Sequence, residues 1–328
     1  MADHKPLPFL IYTEEEFPQG IYKIEQDLVR RRREGFFTGE GEAKIYYEYF
    51  LADTPKGAVV FVHGLSEFTK KYYEAAAYFL AQGYHVFLYD QRGHGHSHRD
   101  TCRPELIHIN SFDQLVEDLH TYVDSVVRKV YAGPVYLYAH SMGGAVGLLY
   151  LAKYPQTFKK AVITSPLLMP RMNDLPAWPF LVGVGIGQIF AGPLAKFPLS
   201  SEFVVNKPYT PIPGDSPNRV RYCLSWRNRE PDYRSTPMTL GCTMHTLKLR
   251  RRLLKTGVAQ AIRTPMLMLC ADTDTLVRTR YQGMFAKQCP VCTHEILEGA
   301  NHALLTNCDE LLSKALYQIF NFLQQTSL

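Results

Sequence analysis

The sequence contains no Gly-x-Gly-x-x-Gly segment that opens a helix and no Gly-Lys-Ser/Thr phosphate loop, so it predicts no nucleotide cofactor. Cysteine is scarce, and the odd count of seven in 328 residues argues against a disulfide framework. Cys289 and Cys292 lack the second ligand pair of a zinc site, and a Gly-punctuated turn is the simpler interpretation of His94, His96 and His98. We therefore expect neither a metal nor a cofactor.

Apolar runs that could form an uninterrupted membrane-spanning helix are also missing. The N-terminal segment MADHKPLPFL carries charges where a signal peptide needs a continuous apolar stretch. Leu175 to Ala195 is uncharged over 21 residues, but its prolines and glycines leave room for only about 12 residues of helix, too few to span a bilayer. We predict an apolar lid helix there, and a reducing, cytoplasmic setting in which the protein is at most peripheral on the inner membrane.

Neither sign of charge dominates, since 36 Lys and Arg face 31 Asp and Glu, for a net charge of +5. Most of the excess lies in Arg30 to Arg33 and Lys248 to Arg252. Such clusters are most often solvated helix faces, but they also suit an anionic membrane surface. Because the chain also has an apolar segment, the sequence allows peripheral contact with an anionic membrane, and we predict no nucleic-acid partner. Nothing in it indicates an oligomeric state.

From Lys44 onward, short β-rich runs alternate with longer helical patterns. The runs are KIYYEYF, AVVFVH, HVFLYD, PVYLYAH, AVITS, PMLMLCAD and THEILEGA. This alternation predicts an α/β fold with a mostly parallel sheet flanked by helices. It stops after Ser165 and resumes near Thr264, and the intervening Pro- and Gly-rich residues are expected to form a lid over the strand ends, where open α/β sheets bind ligands.

We accordingly divide the chain into three parts. Residues 1–43 are polar and charged and are expected to form an N-terminal arm. Residues 44–166 and 264–328 form the core, and residues 167–263 form the inserted lid.

The segment Ala139-His140-Ser141-Met142-Gly143 joins a β-rich run to a helix-forming stretch. This is the arrangement of a nucleophile elbow, Gly-x-Ser-x-Gly, with alanine in place of the first glycine. Small residues are needed two positions before and after the serine because the turn is tight. We predict that Ser141 is a nucleophile held at the end of a strand.

A serine hydroxyl at neutral pH needs a base, and the base needs a carboxylate that fixes its tautomer. In folds with a nucleophile elbow, the acid and then the base follow the serine, each after a late strand. Asp274 follows the run PMLMLC and His302 follows THEILEGA, so we assign them as acid and base. Asp272, in the same loop, is the alternative acid.

The attack creates an oxyanion, which needs fixed N–H donors after the nucleophile and after an early strand. The backbone N–H of Met142 supplies the first. The turn at His63-Gly64-Leu65 follows a β-rich run, so the N–H of Leu65 is the expected second donor.

Four segments together have a familiar pattern: HGLSE at 63–67, YDQRGHGHS at 89–97, AHSMGG at 139–144 and EGANH at 298–302. They resemble motifs of the α/β-hydrolases in the group of monoacylglycerol lipases and bacterial inner-membrane lysophospholipases, and the resemblance covers nearly the whole chain. It implies the α/β-hydrolase fold, and it carries over a triad and two oxyanion donors at Ser141, Asp274, His302, Leu65 and Met142.

The resemblance implies a carboxylic ester hydrolase that forms an acyl-enzyme on Ser141. Lysophospholipids are the favoured substrates, with monoacylglycerols or general carboxylic esters as alternatives, because an apolar lid and a basic surface suit a single-chain amphiphile. A peptidase of the aminopeptidase branch is less well supported because the acidic residues of the lid are scattered, and a non-catalytic binding module is less well supported because all three triad positions are filled. Within the lid, we expect the acyl chain to contact Trp178, Phe180, Ile186 and Ile189.

Overall fold

The computed structural model describes residues 11–171, 177–255 and 257–325. Within them, eight strands form one sheet: β1 (Arg33–Thr38), β2 (Lys44–Phe50), β3 (Gly57–Val62), β4 (Tyr84–Tyr89), β5 (Val135–His140), β6 (Ala161–Thr164), β7 (Met266–Ala271) and β8 (Cys292–Leu297). Their order across the sheet is β1-β2-β4-β3-β5-β6-β7-β8. The pairs β1–β2 and β2–β4 are antiparallel and the other pairs are parallel. The predicted α/β fold with a mostly parallel sheet is confirmed.

Helices cover both faces of the sheet. They are α1 (Phe17–Arg31), α2 (Tyr73–Ala81), α3 (Phe112–Tyr122), α4 (Arg128–Val130), α5 (Met142–Lys153), α6 (Ala177–Ala191), α7 (Pro217–Arg229), α8 (Leu240–Leu253), α9 (Val258–Ala261), α10 (Thr279–Gln288) and α11 (Asp309–Gln324). Successive side chains of a strand point to opposite faces. Val60 of β3 accordingly joins the apolar cluster beneath α3, α5 and α10, while Val59 and Phe61 join the cluster beneath α1, α2 and α11.

The residues before Lys44 add a strand that the sequence analysis did not predict. Strand β1 pairs with β2 from Arg33 opposite Tyr49 to Thr38 opposite Lys44. Helix α1 buries Ile21, Ile24 and Leu28, which recur at helical spacing, in the same cluster as α2 and α11. Residues 17–38 therefore pack on the core. The segment MADHKPLPFL lies outside the described residues.

The chain between β6 and β7 contains α6 to α9. Helix α6 packs on α8 through Val184, which contacts Leu240 and Leu247 in a small apolar cluster. The end of α8 belongs to the main core, where Leu249 and Leu253 are buried. None of the helices in the described residues has both the length and the apolar character needed to cross a membrane. Leu175 and Pro176, at the start of the predicted apolar stretch, lie outside the described residues.

Helix α7 is fastened to the core by the buried side chain of Arg219. Its Nε donates to both carboxylate oxygens of Glu74 on α2 at 3.0 Å, and its Nη1 donates to Asp309 Oδ1 on α11 at 2.7 Å. Glu14 accepts a 2.8 Å hydrogen bond from the N–H of Asn218 in the first turn of α7. One segment between β6 and β7 is thus tied to residues from both ends of the chain.

Candidate active site

The turn between β5 and α5 is strained in the way that a nucleophile elbow requires. Ser141 has φ 53° and ψ −114°, in the positive-φ region that L residues rarely adopt. A Cβ on Gly143 would lie 2.2 Å from the carbonyl oxygen of Val62, so this position admits only glycine. Ala139 replaces the usual glycine, and its Cβ lies 3.1 Å from where a Cβ on Gly147 would be. The missing side chain at Gly147 leaves room for it.

The structure brings Ser141, Asp274 and His302 together at the carboxyl edge of the sheet. His302 Nε2 lies 2.8 Å from Ser141 Oγ, and His302 Nδ1 lies 2.6 Å from Asp274 Oδ2. Because the carboxylate of Asp274 can only accept a hydrogen bond, His302 Nδ1 carries the proton and donates it. His302 Nε2 then accepts a hydrogen bond from the serine hydroxyl. All three side chains are buried, which strengthens these contacts by excluding water.

The two candidate acids have different surroundings. The other oxygen of Asp274, Oδ1, accepts the N–H groups of Leu276 and Val277, both at 2.9 Å, which fixes the carboxylate in place. Asp272 is exposed, and its Oδ2 lies 3.5 Å from the amide of Gly299. Of the two carboxylates, Asp274 is therefore the one that contacts the histidine.

The loop after β3 is held by the buried His63. Its Nε2 accepts the N–H of Gln91 at 2.8 Å, so Nδ1 carries the proton and donates to the carbonyl of Gly64 at 2.7 Å. The N–H of Leu65 belongs to the same planar peptide and points away from that carbonyl. Met142 is the first residue of α5, where a helix leaves its N–H groups without intrahelical partners. Both predicted oxyanion donors are thus backbone groups in fixed segments.

Glu67, which the sequence analysis did not single out, supports this loop. Its Oε2 accepts the N–H of Gly64 at 2.6 Å and the hydroxyl of Tyr72 at 2.6 Å, and its Oε1 pairs with Lys71. Burial alone would raise the pKa of Glu67, but the charge of Lys71 and the hydrogen bonds from Lys71 and Tyr72 act together against it, and the pKa lies well below the ordinary range. The Glu67–Lys71 spacing of four residues was the available sequence signal.

His140, the residue before the nucleophile, is a second group that the sequence analysis missed. Burial lowers its pKa to about 3, so it is neutral at pH 7. Its Nδ1 lies 3.0 Å from Thr164 Oγ1, and its ring centroid lies 5.0 Å from that of His302. The neutral imidazole of His140 therefore packs beside His302 without adding a positive charge to the site.

The three histidines of the loop after β4 contact different partners. Burial lowers the pKa of His94 to about 3, and its Nδ1 lies 3.0 Å from the carbonyl oxygen of Arg92. His96 lies between Asp232, 3.2 Å away, and the hydroxyl of Tyr233, 3.1 Å away. His98 lies 3.1 Å from Asp100. These contacts connect the loop to the chain between β6 and β7 and to its own neighbours.

The predicted lid contacts separate into two sets. Trp178, Ile186 and Ile189 point outward with relative exposures of 68%, 50% and 80%. Phe180 instead lines an apolar groove of about 600 Å³ between α6 and residues 195–199. The outward residues form an apolar face, and Phe180 belongs to a concave surface.

Comparison with known proteins gives a consistent family. The family model Hydrolase_4, described as serine aminopeptidase, S33, matches residues 53–309. Lysophospholipase L2 of Escherichia coli (strain K12) is 28% identical over 315 residues, which cover 90% of this chain and 88% of that protein. Human monoglyceride lipase is 37% identical over 117 residues, which cover 35% of this chain and 37% of that protein.

Solved structures agree on the fold. A soluble variant of monoglyceride lipase from Saccharomyces cerevisiae superposes with a TM-score of 0.70 at 16% identity, covering 89% of this chain and 96% of that one. A carboxyl esterase from Bacillus coagulans gives a TM-score of 0.69 at 17% identity, covering 89% of this chain and 97% of that one. Since the family model spans most of the sequence, the chain belongs to the Hydrolase_4 family of α/β-hydrolases.

Proposed function

We propose that this protein is a serine hydrolase that cleaves the acyl ester of single-chain lipids, with lysophospholipids as the main substrates. The observation that carries this proposal is the continuous line of hydrogen bonds from Ser141 Oγ through His302 to Asp274. A serine, a histidine and a carboxylate in this order make an activated nucleophile.

In the proposed reaction, His302 Nε2 takes the proton of Ser141 as Oγ attacks the ester carbonyl carbon. The negative charge that develops on the carbonyl oxygen is stabilised by the backbone N–H groups of Leu65 and Met142. His302 then gives its proton to the leaving alcohol, the C–O bond breaks, and an acyl-enzyme remains on Ser141. Water, deprotonated by His302, attacks the acyl carbon, the bond from that carbon to Ser141 Oγ breaks, and Oγ takes the proton back from His302 as the fatty acid leaves. Asp274 keeps the imidazole oriented in both halves.

The substrate class is supported by the lid and by the relatives. Residues 167–263 are proposed to act as this lid, and the groove that Phe180 lines offers an apolar surface to an acyl chain. The Escherichia coli relative, whose alignment covers most of both chains, is a lysophospholipase. Monoacylglycerol is the second candidate substrate, because the human relative with 37% identity is a monoglyceride lipase.

A role as an aminopeptidase, the activity in the family description, has less support from the lid. A free amine needs a cluster of carboxylates, and the lid carboxylates with described contacts are separated: Glu202 pairs with Lys196, Asp215 accepts from Asn301 and Tyr209, and Asp232 faces His96. Asp174 lies outside the described residues. We therefore place esters ahead of peptides.

The outward face of α6 is proposed to meet the membrane that presents the lipid. Its exposed apolar residues are Trp178, Val182, Ile186, Ile189 and Phe190. Helix α8, on which α6 packs, carries exposed cations at Lys248, Arg250 and Arg251. An apolar face beside cations suits the surface of an anionic bilayer.

Labelling with a fluorophosphonate probe, followed by a turnover screen, tests the proposal. Wild-type protein is expected to be labelled at Ser141 and to hydrolyse lysophospholipids and monoacylglycerols. The variant Ser141→Ala is expected to fold, to resist labelling and to lose roughly 10⁴- to 10⁶-fold in kcat. Retention of more than a few per cent of wild-type activity in that variant would refute the assignment of Ser141.

A further inference from the structure

We infer that Arg227, on α7 of the lid, binds the headgroup phosphate of a lysophospholipid while the ester lies at Ser141. The inference rests on the proposed function and extends it, because it names the group that distinguishes a lysophospholipid from a monoacylglycerol. Four points support the inference. They are the contacts that hold the guanidinium, the absence of a paired acid among the described residues, the position of Arg227 relative to the oxyanion loop, and the chemistry of the lipid phosphate.

The guanidinium of Arg227 is fixed on one side. Its Nε donates to the carbonyl of Tyr233 at 3.0 Å, and its Nη2 donates to the hydroxyl of Thr236. The Cζ atom lies 4.2 Å from the ring centroid of Phe203, which covers one face of the plane. Among the described residues, Nη1 has no acceptor. The side chain is thus oriented in advance with one donor group unused.

Arg227 also lacks an acid. No carboxylate of the described residues lies within 4.0 Å of it, and burial lowers its pKa to about 10. Arg219, two turns earlier on the same helix, has three acid partners in Glu14, Glu74 and Asp309, and its pKa is raised despite burial, chiefly by the charge of Glu74. A partly buried guanidinium without an anion is costly, and a bound anion would remove that cost.

The position of Arg227 links it to the oxyanion loop. Tyr233, whose carbonyl it holds, stacks on Phe68 with ring centroids 4.2 Å apart and planes 8° from parallel. Phe68 follows Glu67, which holds the amide of Gly64. The positive charge of Arg227 also lowers the pKa of Lys71, while the negative charge of Glu67 raises that pKa by more. Glu67 pairs with Lys71 and not with Arg227.

A lysophospholipid supplies the missing anion in a suitable place. Its phosphodiester is separated from the ester by the glycerol unit alone, so a phosphate site must lie near the oxyanion loop. Guanidinium and phosphate form charge-assisted hydrogen bonds, which are shorter and stronger than neutral ones. A monoacylglycerol has an uncharged hydroxyl at that position and gains little from Arg227.

The main test compares two substrates with the same chain, 1-palmitoyl lysophosphatidylglycerol and 1-palmitoylglycerol, in micelles of a neutral detergent. In Arg227→Gln, the ratio of the two kcat/KM values is expected to fall roughly 10- to 100-fold, mainly through a higher KM for the phospholipid. Arg227→Lys keeps the charge and is expected to show a smaller fall.

Arg229→Gln is the matched control. Arg229 lies on the same helix but is exposed, stacked on Trp226 with its Cζ 4.4 Å from the ring centroid. Arg229→Gln removes one positive charge from the lid, as Arg227→Gln does, and is expected to leave the ratio of the two kcat/KM values at the wild-type value. An unchanged ratio in Arg227→Gln, or the same fall in Arg229→Gln, would overturn the inference. If wild-type protein hydrolysed neither lipid, the proposed function itself would fail.

A second measurement needs no variant and no lipid turnover. Glycerophosphoglycerol, a soluble phosphodiester, is expected to compete with p-nitrophenyl butyrate in the wild-type protein, whereas glycerol is not. Inorganic phosphate at the same concentration is expected to compete more weakly, because it lacks the glycerol arms. Absence of competition by the diester contradicts the site. Equal competition by inorganic phosphate identifies a free-anion site and contradicts the headgroup assignment.

Discussion

The carboxylate of Glu67 lies 2.6 Å from the amide nitrogen of Gly64, so a largely buried acid holds the peptide that precedes the proposed oxyanion donor Leu65. Lys71 and Tyr72 fix the acid in turn. The donor is therefore oriented by side chains that lie outside the triad. Glu67 is a positioning residue in this arrangement.

We expect Glu67→Gln to lower kcat for a short ester roughly 10- to 100-fold with little change in KM, because loss of a whole oxyanion donor costs about 10²- to 10³-fold. Steady-state kinetics on p-nitrophenyl acetate measures this. Glu117 is the matched control, since it also pairs with a lysine and a tyrosine, Lys153 and Tyr154, at 2.6 Å and 2.8 Å. A normal kcat in Glu67→Gln would contradict the positioning role.

The acid of the triad is tested by two neighbouring substitutions. Asp274→Asn is expected to lower kcat by about 10⁴-fold, because only the carboxylate bonded to His302 fixes its tautomer. Asp272→Asn removes a charge two residues away and is expected to lower kcat far less, since Asp272 is exposed. Single-turnover and steady-state rates on one ester measure both. The opposite ranking would mean that Asp272 is the acid.

His140 predicts a pH dependence of stability. Burial lowers its pKa from an ordinary 6.5 to about 3, so between these values the unfolded chain binds the proton and the folded protein does not. The stability that depends on burying His140 uncharged is fully present above pH 6.5. It is lost as the pH falls towards 3, at up to about 1.4 kcal/mol per pH unit.

Urea unfolding of wild type and His140→Gln between pH 4 and pH 7 measures this slope. The free energy of unfolding of the variant is expected to fall less steeply on acidification than that of wild type. The difference in slope should correspond to nearly one fewer proton taken up on unfolding. His98→Gln removes a histidine whose side chain is 43% exposed and serves as the control. Parallel curves for wild type and His140→Gln would show that His140 is not the responsible group.

The outward face of α6 predicts a separation between stability and lipid turnover. Ile186→Ser with Ile189→Ser is expected to change the free energy of unfolding by only about 0.5 kcal/mol per site, because both side chains are exposed. Turnover of acetate esters should stay normal, while binding to anionic vesicles and turnover of long-chain lipids should fall.

Val184→Ser, on the buried side of the same helix, is the control and is expected to lower the melting temperature. Vesicle co-sedimentation and thermal melts together distinguish the two faces. A lowered melting temperature and an equal loss on every ester in the double variant would indicate that this face is part of the core.

The sequence predicted the central strands and the site loops because their signals are local. Strand β5 is an unbroken apolar run, and the elbow at Ser141 follows it directly. Chain order then placed Asp274 and His302 after the last two strands. Strand β1 was not predicted because it is an edge strand with mostly exposed side chains and no apolar alternation.

Contacts between distant residues had no signal of this kind. Nothing in the sequence pairs Arg219 with Glu74, which lie 145 positions apart, or assigns the unpaired cation of Arg227. The apolar residues of α6 were recognisable, but they surround the helix, so their periodicity did not predict which side would be buried. Packing on α8 decides this, and it leaves Ile186 and Ile189 outside while Val184 is buried.

The anchoring of α7 has a consequence for how the protein is made. Arg219 meets Asp309, 90 residues later, and its helix meets Glu14, more than 200 residues earlier. During synthesis, the middle of the chain leaves the ribosome well before Asp309 does, so this helix cannot complete its contacts until Asp309 has also emerged. Contacts over such separations form late and slowly. The contacts that anchor α7 are therefore expected to be among the last to form as the chain folds.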